Sequence, residues 1–458
     1  MAMKAREFSH LASLPVAPRV AQPTDRASVE IYRPFFLAGI LCVLTVGCLL
    51  GAIALYAIGS SGTYTSSNFT PYILAHANSQ LFGWVGFFVL GFALQQHAPM
   101  IGRLALYNRL AKACLLFMAT GIALRFVAEP MVMSNRDLWV PVGVLACTLQ
   151  ALAVSIFLFN VVYTRHRSST GLTWQIPFVF ASLLWLVVVS FAEPFVFFFS
   201  HQANQLQSIA FVAKWYPVLR EAQFFGFVAM MIFGVSLVKL HSCFGAKEGN
   251  AALGQTGFIL WTLGLLMRTV GWIIAYDQGF APGSQALYFS GGVLLAIAAI
   301  LLVSSTRIFE PLSEQFRSHK FIRGAYAWLL VSGLLLILEP LHLRITGAPF
   351  SHAYTGAIRH AVTVGFISQM ILGFGAHVVA RMNDLNERVL PGLWSVFLLV
   401  NVGNICRVVL EIATDYSPRA FAPMGVTGFI ELVGLGIWGV HVTRLMLARR
   451  QPVAVNVE

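Results

Sequence analysis

Charge is the scarcest thing in this chain. Only 10% of its 458 residues are Asp, Glu, Lys or Arg, against about 25% in soluble domains, which excludes an ordinary soluble enzyme. Cysteine is also rare. Cys42, Cys48, Cys114, Cys147, Cys243 and Cys406 form no CxxC and fall mostly in apolar stretches, so they read as small core-filling residues rather than a disulfide framework or thiolate metal site. A basic patch is missing too, although the net charge is +12; the basic residues come in small groups, and nucleic acid is not an expected partner. The first thirty residues hold Lys4, Arg6, Arg19 and Arg26 but no apolar run, so no secretory signal is visible.

What is present is apolar length. Hydrophobic residues make up 58% of the chain, in blocks long enough for the ~20 residues a helix needs to cross hydrocarbon. Twelve spans follow, near 34–59, 73–97, 105–127, 138–163, 174–200, 211–240, 254–276, 285–305, 321–343, 355–380, 390–413 and 422–447. The expected fold is all-α: one polytopic membrane domain over residues 33–449, with cytoplasmic tails at 1–32 and 450–458. Twelve crossings put both termini on one side. That side carries 21 Lys and Arg residues in its segments and at the adjoining span ends and the opposite side 5 (Arg136, Lys214, Arg344, Arg359 and Arg419), which places the termini in the cytoplasm and membrane lipid around the chain.

Three stretches look alike: QLFGWVGFFVLGFAL from Gln80, QFFGFVAMMIFGVSL from Gln223 and VTVGFISQMILGFGAH from Val362. Each holds two glycines eight apart (Gly83/Gly91, Gly226/Gly234, Gly365/Gly373), and the second glycine is followed at one fixed distance by Arg125, Arg268 or Arg407. The fourth helix of each unit carries Thr-Arg at its end. These spacings predict three pseudo-repeats of four helices, about 33–165, 174–307 and 321–445, in one orientation. That differs from the inverted repeats common in transporters.

Ionisable residues inside membrane spans are costly and by default point to function. Arg125, Arg268 and Arg407 lie towards the outer ends of their helices. They are either guanidinium clamps for carboxylates, such as haem propionates, or bland residues that snorkel to the interface or pair with Glu129 and Glu411. At the outer starts of the second helices the aligned positions are Asn78, Glu221 and His360, preceded by Ala77, Arg220 and Arg359, with His76 two places before Asn78. Two imidazoles on different helices can hold a haem iron in a bundle; the bland alternative is a hydrogen-bonded core histidine. His201, His342 and His352 crowd the same face, and His352 would share a helix face with His360. Imidazoles with few carboxylates suit copper or haem iron. Glu193-Pro194 and Glu339-Pro340 are expected to end helices five and nine.

YRPFFLAGI in the first helix, AHANSQLFGW in the second, RGAYAWLLVSGLLL in the ninth and RHAVTVGFISQMILG in the tenth resemble the NnrS family, twelve-helix bacterial membrane proteins of the nitric oxide response that contain haem and copper. The plan also resembles the catalytic subunits of haem-copper oxidases and nitric oxide reductases. The resemblance implies a multi-pass protein of the bacterial inner membrane that binds or converts nitric oxide at a haem, of b type, near the periplasmic face. Its electron donor is unknown. His76 matches the first histidine of the family's HxHE motif and His360 that of its HAxTxG motif. Asn78 and Ser79 depart from the first motif, which puts copper in doubt. The site residues expected are His76 and His360 as iron ligands, His352 as a further metal ligand, and Arg407 at a propionate, with Arg125 or Arg359 as second partner. Arg268 is expected on a protein carboxylate. Competing readings are a divergent haem-copper-type reductase and a small-molecule or ion transporter.

Overall fold

The computed structural model describes residues 30–64, 66, 69–98, 104–165, 173–312 and 316–448, and the side chains of all but residues 164 and 165. The tails proposed from the sequence, up to residue 29 and from residue 449, lie outside the described residues. Twelve helices are long and apolar enough to cross a membrane: α1 Tyr32–Ser61, α2 Thr70–Gln96, α3 Leu104–Met131, α4 Arg136–Tyr163, α5 Ile176–Ser200, α6 Gln205–Phe244, α7 Ala251–Asp277, α8 Ala286–Thr306, α9 His319–Thr346, α10 His352–Met382, α11 Trp394–Ala413 and α12 Pro418–Leu447. Among the described residues there is no strand. This is a multi-pass, all-helical membrane protein.

The second helix of each group of four lies innermost. The apolar stretches of α2, α6 and α10 are 72, 67 and 78% buried inside the protein, against 33–50% for the other nine helices. Glycine explains how so many helices crowd around them. A methyl added to Gly226 would lie 2.6 Å from the Trp185 ring of α5, and one added to Gly365 would lie 2.5 Å from the Trp328 ring of α9. Gly83 would likewise collide with Cys42 of α1. Cys42, Trp185 and Trp328 are evenly spaced along the chain, so each first helix rides on its second at a corresponding place. The second glycine of each pair seats Phe35, Phe178 and Phe321 in the same way. Small residues at these crossings allow the close backbone approach on which membrane helices depend.

One shared feature was not legible in the sequence. Each inner helix widens into a π-helical stretch, Ser79–Val85 in α2, Ala222–Ala229 in α6 and Ala361–Ser368 in α10. Such insertions rotate the residues on either side and recur at functional sites. The third and fourth helices of each group, α3/α4, α7/α8 and α11/α12, pack against each other, and α4 meets α5, α8 meets α9 and α12 returns to α1. The groups therefore follow one another in a closed ring. A fourth π-helical stretch, Val43–Gly47, occurs in α1.

The structure corrects the reading of the two Glu-Pro pairs as helix ends: α5 runs through Pro194 to Ser200, where the apolar span also ends, and α9 through Pro340 to Thr346. A proline removes one backbone donor and does not always terminate a packed membrane helix, because neighbouring groups can satisfy the freed carbonyl. The glutamates before them are thereby held inside the bundle.

An experimental structure should superimpose Gly83, Gly226 and Gly365 under a rotation of about one third of a turn; two inverted halves would contradict this. Gly365→Leu should overpack the α9–α10 crossing and lower stability by about 1–3 kcal/mol, read as a lower thermal midpoint in detergent. Leucine at Gly436, whose side-chain position is open, should leave the midpoint near wild type.

Candidate functional site

Each third helix brings its arginine back to the face where the second helix starts, and the first two arginines are met by carboxylates. Arg125 is 1% exposed; its Nε donates to Glu129 at 3.0 Å and its Nη1 to Glu193 of α5 at 2.7 Å. Arg268, also 1% exposed, holds Glu221 with two bonds of 3.2 Å and Glu339 of α9 with one of 3.1 Å. The Tyr288 ring lies 4.0 Å from its guanidinium carbon. In both cases the next group's first helix supplies a carboxylate across the junction. A buried guanidinium demands this, since an unpaired charge in a low-dielectric interior costs several kcal/mol.

The third junction differs. α1, which closes the ring against α12, carries no acidic residue. Arg407, 5% exposed, bonds only Glu411 on its own helix, through Nη2 at 2.9 Å. Its Nε and Nη1 are buried without a partner, as are Glu411 Oε2 and Glu431 Oε1. His76 and His360 both lie at this junction, close enough that His360, Arg407 and Arg220 all act on the electrostatic environment of His76.

The two imidazoles are held alike. His76 Nδ1 donates to the Gly47 carbonyl at 2.8 Å, and His360 Nδ1 donates to the Gly356 carbonyl at 2.9 Å. The Gly47 carbonyl is available because ψ there is −107°, well outside the helical range, at the end of the π-helical stretch of α1. One turn on, Gly51 packs directly beneath the His76 ring, where any side chain would collide with it. With Nδ1 protonated and anchored, a neutral imidazole carries its lone pair on Nε2, the arrangement seen in metal-bound histidines. No protein group bonds either Nε2 among the described residues. His360 retains 30% side-chain exposure, with Glu411 3.4 Å from its Nδ1.

The other candidates separate from this pair. His342 has both nitrogens engaged, by Asp415 at 2.7 Å and Tyr416 at 3.0 Å. His201 bonds the Phe197 carbonyl through Nδ1 and has Glu129 3.4 Å from Nε2. His352 is exposed at the first residue of α10; eight residues of helical rise, about 12 Å, separate it from His360, too far to share one ion. Arg125 is committed to two carboxylates, so its expected place as a second propionate partner is corrected: only Nη2 is left. Arg359 has no hydrogen bond or ion pair among the described residues and remains available. Arg268 sits on protein carboxylates, as the sequence led us to expect.

Asn78, standing where the motif has its second histidine, is fully buried and locked to Gln150 of α4 by two amide bonds of 2.9 and 3.2 Å. That closes the position structurally and removes the second imidazole a copper site there would use. Among the described residues, no group of three or more His, Cys, Asp or Glu is arranged to hold a metal ion. Two imidazoles suffice for a haem, whose porphyrin supplies the other four nitrogens. Free Nε2 atoms on two helices, a ring seated on glycine and an arginine with two open nitrogens together fit that group. Sequence reasoning missed the parts played by Glu193, Glu339, Gln150 and Glu431. The first two had a signal, since each stands beside a proline in the first helix of the group that follows a repeated arginine.

A twelve-helix membrane protein with a histidine pair at one junction is the class this fold and site define. Residues 30–450 match the NnrS protein family, and the chain belongs to that family. Among curated proteins, none matches the chain.

Removing one partner of a buried ion pair leaves the other charge stranded, at about 3–5 kcal/mol. Glu339→Ala and Glu193→Ala should therefore each cause a large fall in the thermal midpoint in detergent, while Asp137→Ala, at an exposed pair, should leave it unchanged.

Proposed function

We propose that this protein acts in the nitric oxide response as a haem-binding membrane protein, with His76 and His360 as the two iron ligands. Family membership supports the role in that response. The observation that carries the haem reading is the matched pair of imidazoles, each anchored at Nδ1 and open at Nε2, at the one junction where the arginine lacks a carboxylate from the next helix.

In this reading His76 and His360 would hold the iron from two helices, α2 and α10, with each ring fixed by its Nδ1 bond to the Gly47 or Gly356 carbonyl. Arg407 offers Nε and Nη1 to a propionate, and Arg359 offers a second guanidinium; bidentate pairing of this kind is what an arginine fork does well. A haem bound there would supply one-electron redox chemistry and affinity for a diatomic ligand such as nitric oxide. Copper is not part of the proposal, because Asn78, where the motif has its second histidine, is hydrogen-bonded to Gln150. A transporter reading loses its main support, since Arg125 and Arg268 are tied to carboxylates rather than lining a path.

His76→Ala and His360→Ala should each remove or shift the Soret and α bands of the purified protein, whereas His97→Ala and His319→Ala should not. Arg407→Lys keeps the charge but loses the fork and should weaken haem retention in part; Arg407→Ala should weaken it further. Unchanged spectra in both histidine variants would refute the assignment, and full haem occupancy with an unchanged reduction potential in Arg407→Ala would refute the role of the arginine.

A further inference from the structure

Arg220 and Arg359 occupy corresponding places in the inner helices. Each stands one residue before the aligned position that holds Glu221 in α6 and His360 in α10, and the interval between them equals that between Gly226 and Gly365. Together with Glu221, Arg268 and Thr355 they line a small cavity between α6 and α10, walled on its apolar side by Phe224, Phe225, Ile358 and Val362. A water-sized group has about 10 Å³ of room for its centre there. The third corresponding position, in α2, is Ala77, so α2 supplies no matching guanidinium; the Arg268 guanidinium in the wall is engaged by Glu221 and Glu339.

Neither cation touches a carboxylate. Arg220 is 5% exposed, and its one bond goes from Nη1 to the neutral Gln223 side chain at 2.6 Å. Arg359 makes no hydrogen bond or ion pair among the described residues, and Arg220 is the charge that acts on it most strongly. The surrounding carboxylates are engaged elsewhere: Glu221 and Glu339 on Arg268, Glu193 on Arg125 and Gln223, Glu411 on Arg407. Two like charges facing one enclosed space, with no anion in contact, form a site that lacks its counter-ion.

The geometry points to a binding site for a planar oxyanion between Arg220 and Arg359. Two guanidiniums from different helices can grip the two edges of a nitrite, nitrate or carboxylate group with paired N–H···O bonds. The cavity as it stands takes a water; Arg359, which nothing holds, can draw back to admit the three or four heavy atoms of such a group. Lysine ammoniums would not offer matching forks. The anion has two possible sources, a carboxylate of a haem bound at His360 or a free ion entering from the adjoining face. The site shares Arg359 with the haem reading but does not require that reading to hold.

The test uses full-length protein in detergent, prepared from haem-limited and haem-supplemented cultures. Sodium nitrate is titrated against sodium chloride at constant ionic strength, and the thermal midpoint is read. A saturable rise with nitrate is expected, and in Arg220→Gln or Arg359→Gln the half-saturating concentration should increase roughly tenfold or more. Arg136→Gln, which alters a cation at the start of α4 bonded to the His201 carbonyl, should titrate like wild type. A rise in both preparations identifies a free ion. A rise confined to haem-limited protein, with lower haem content in both variants, identifies the cofactor's carboxylate. If the protein takes up no haem yet nitrate stabilises it through these arginines, the site stands and the haem reading falls. No nitrate effect in either preparation of the wild type overturns the site even if a variant fails to fold, and so do variants that titrate like wild type.

Discussion

A guanidinium inside a helix bundle has to find an anion, and the chain meets this demand with contacts between successive groups of helices. Arg125 reaches Glu193 and Arg268 reaches Glu339, each across the junction from a third helix to the next group's first. These pairs fasten the groups to one another where the second helices begin, and little slack is left around them. At the closing junction α1 brings glycines instead of an acid, and there Arg407 keeps two open nitrogens beside His76 and His360. The same constraint thus explains both the closed junctions and the one that remains chemically open.

The inner helices carry the second half of the argument. Glycines at Gly83, Gly226 and Gly365 let the outer helices approach until side chain meets backbone, and the widened stretches begin at Ser79, Ala222 and Ala361, each directly after an aligned position. Those positions hold Asn78, Glu221 and His360. One common framework therefore presents three different chemistries: an amide locked to Gln150, a carboxylate locked to Arg268, and an imidazole with a free nitrogen.

The helices and their number were legible because twenty apolar residues in a row have few other uses, and the recurrence of glycine and arginine could be read directly as fixed distances along the chain. His76 and His360 could be singled out for the same reason. The pairing of the arginines was only half visible: Glu129 and Glu411 sit four residues along the same helix, a spacing a sequence displays, whereas Glu193 and Glu339 come from other helices and were hidden behind prolines that read as helix ends. The π-helical stretches leave no trace in hydropathy. Asn78 looked like a lost ligand, and only its bonds to Gln150 show that the position has a structural task of its own.

The central claim is that the open junction holds a haem between two imidazoles, and a pyridine haemochrome assay on the purified wild-type protein, paired with its low-temperature electron paramagnetic resonance spectrum, tests it most directly. The account predicts b-type haem in stoichiometric amount with the low-spin signal of bis-imidazole iron. Absence of haem from protein made in haem-replete cells, or a purely high-spin signal, would contradict it.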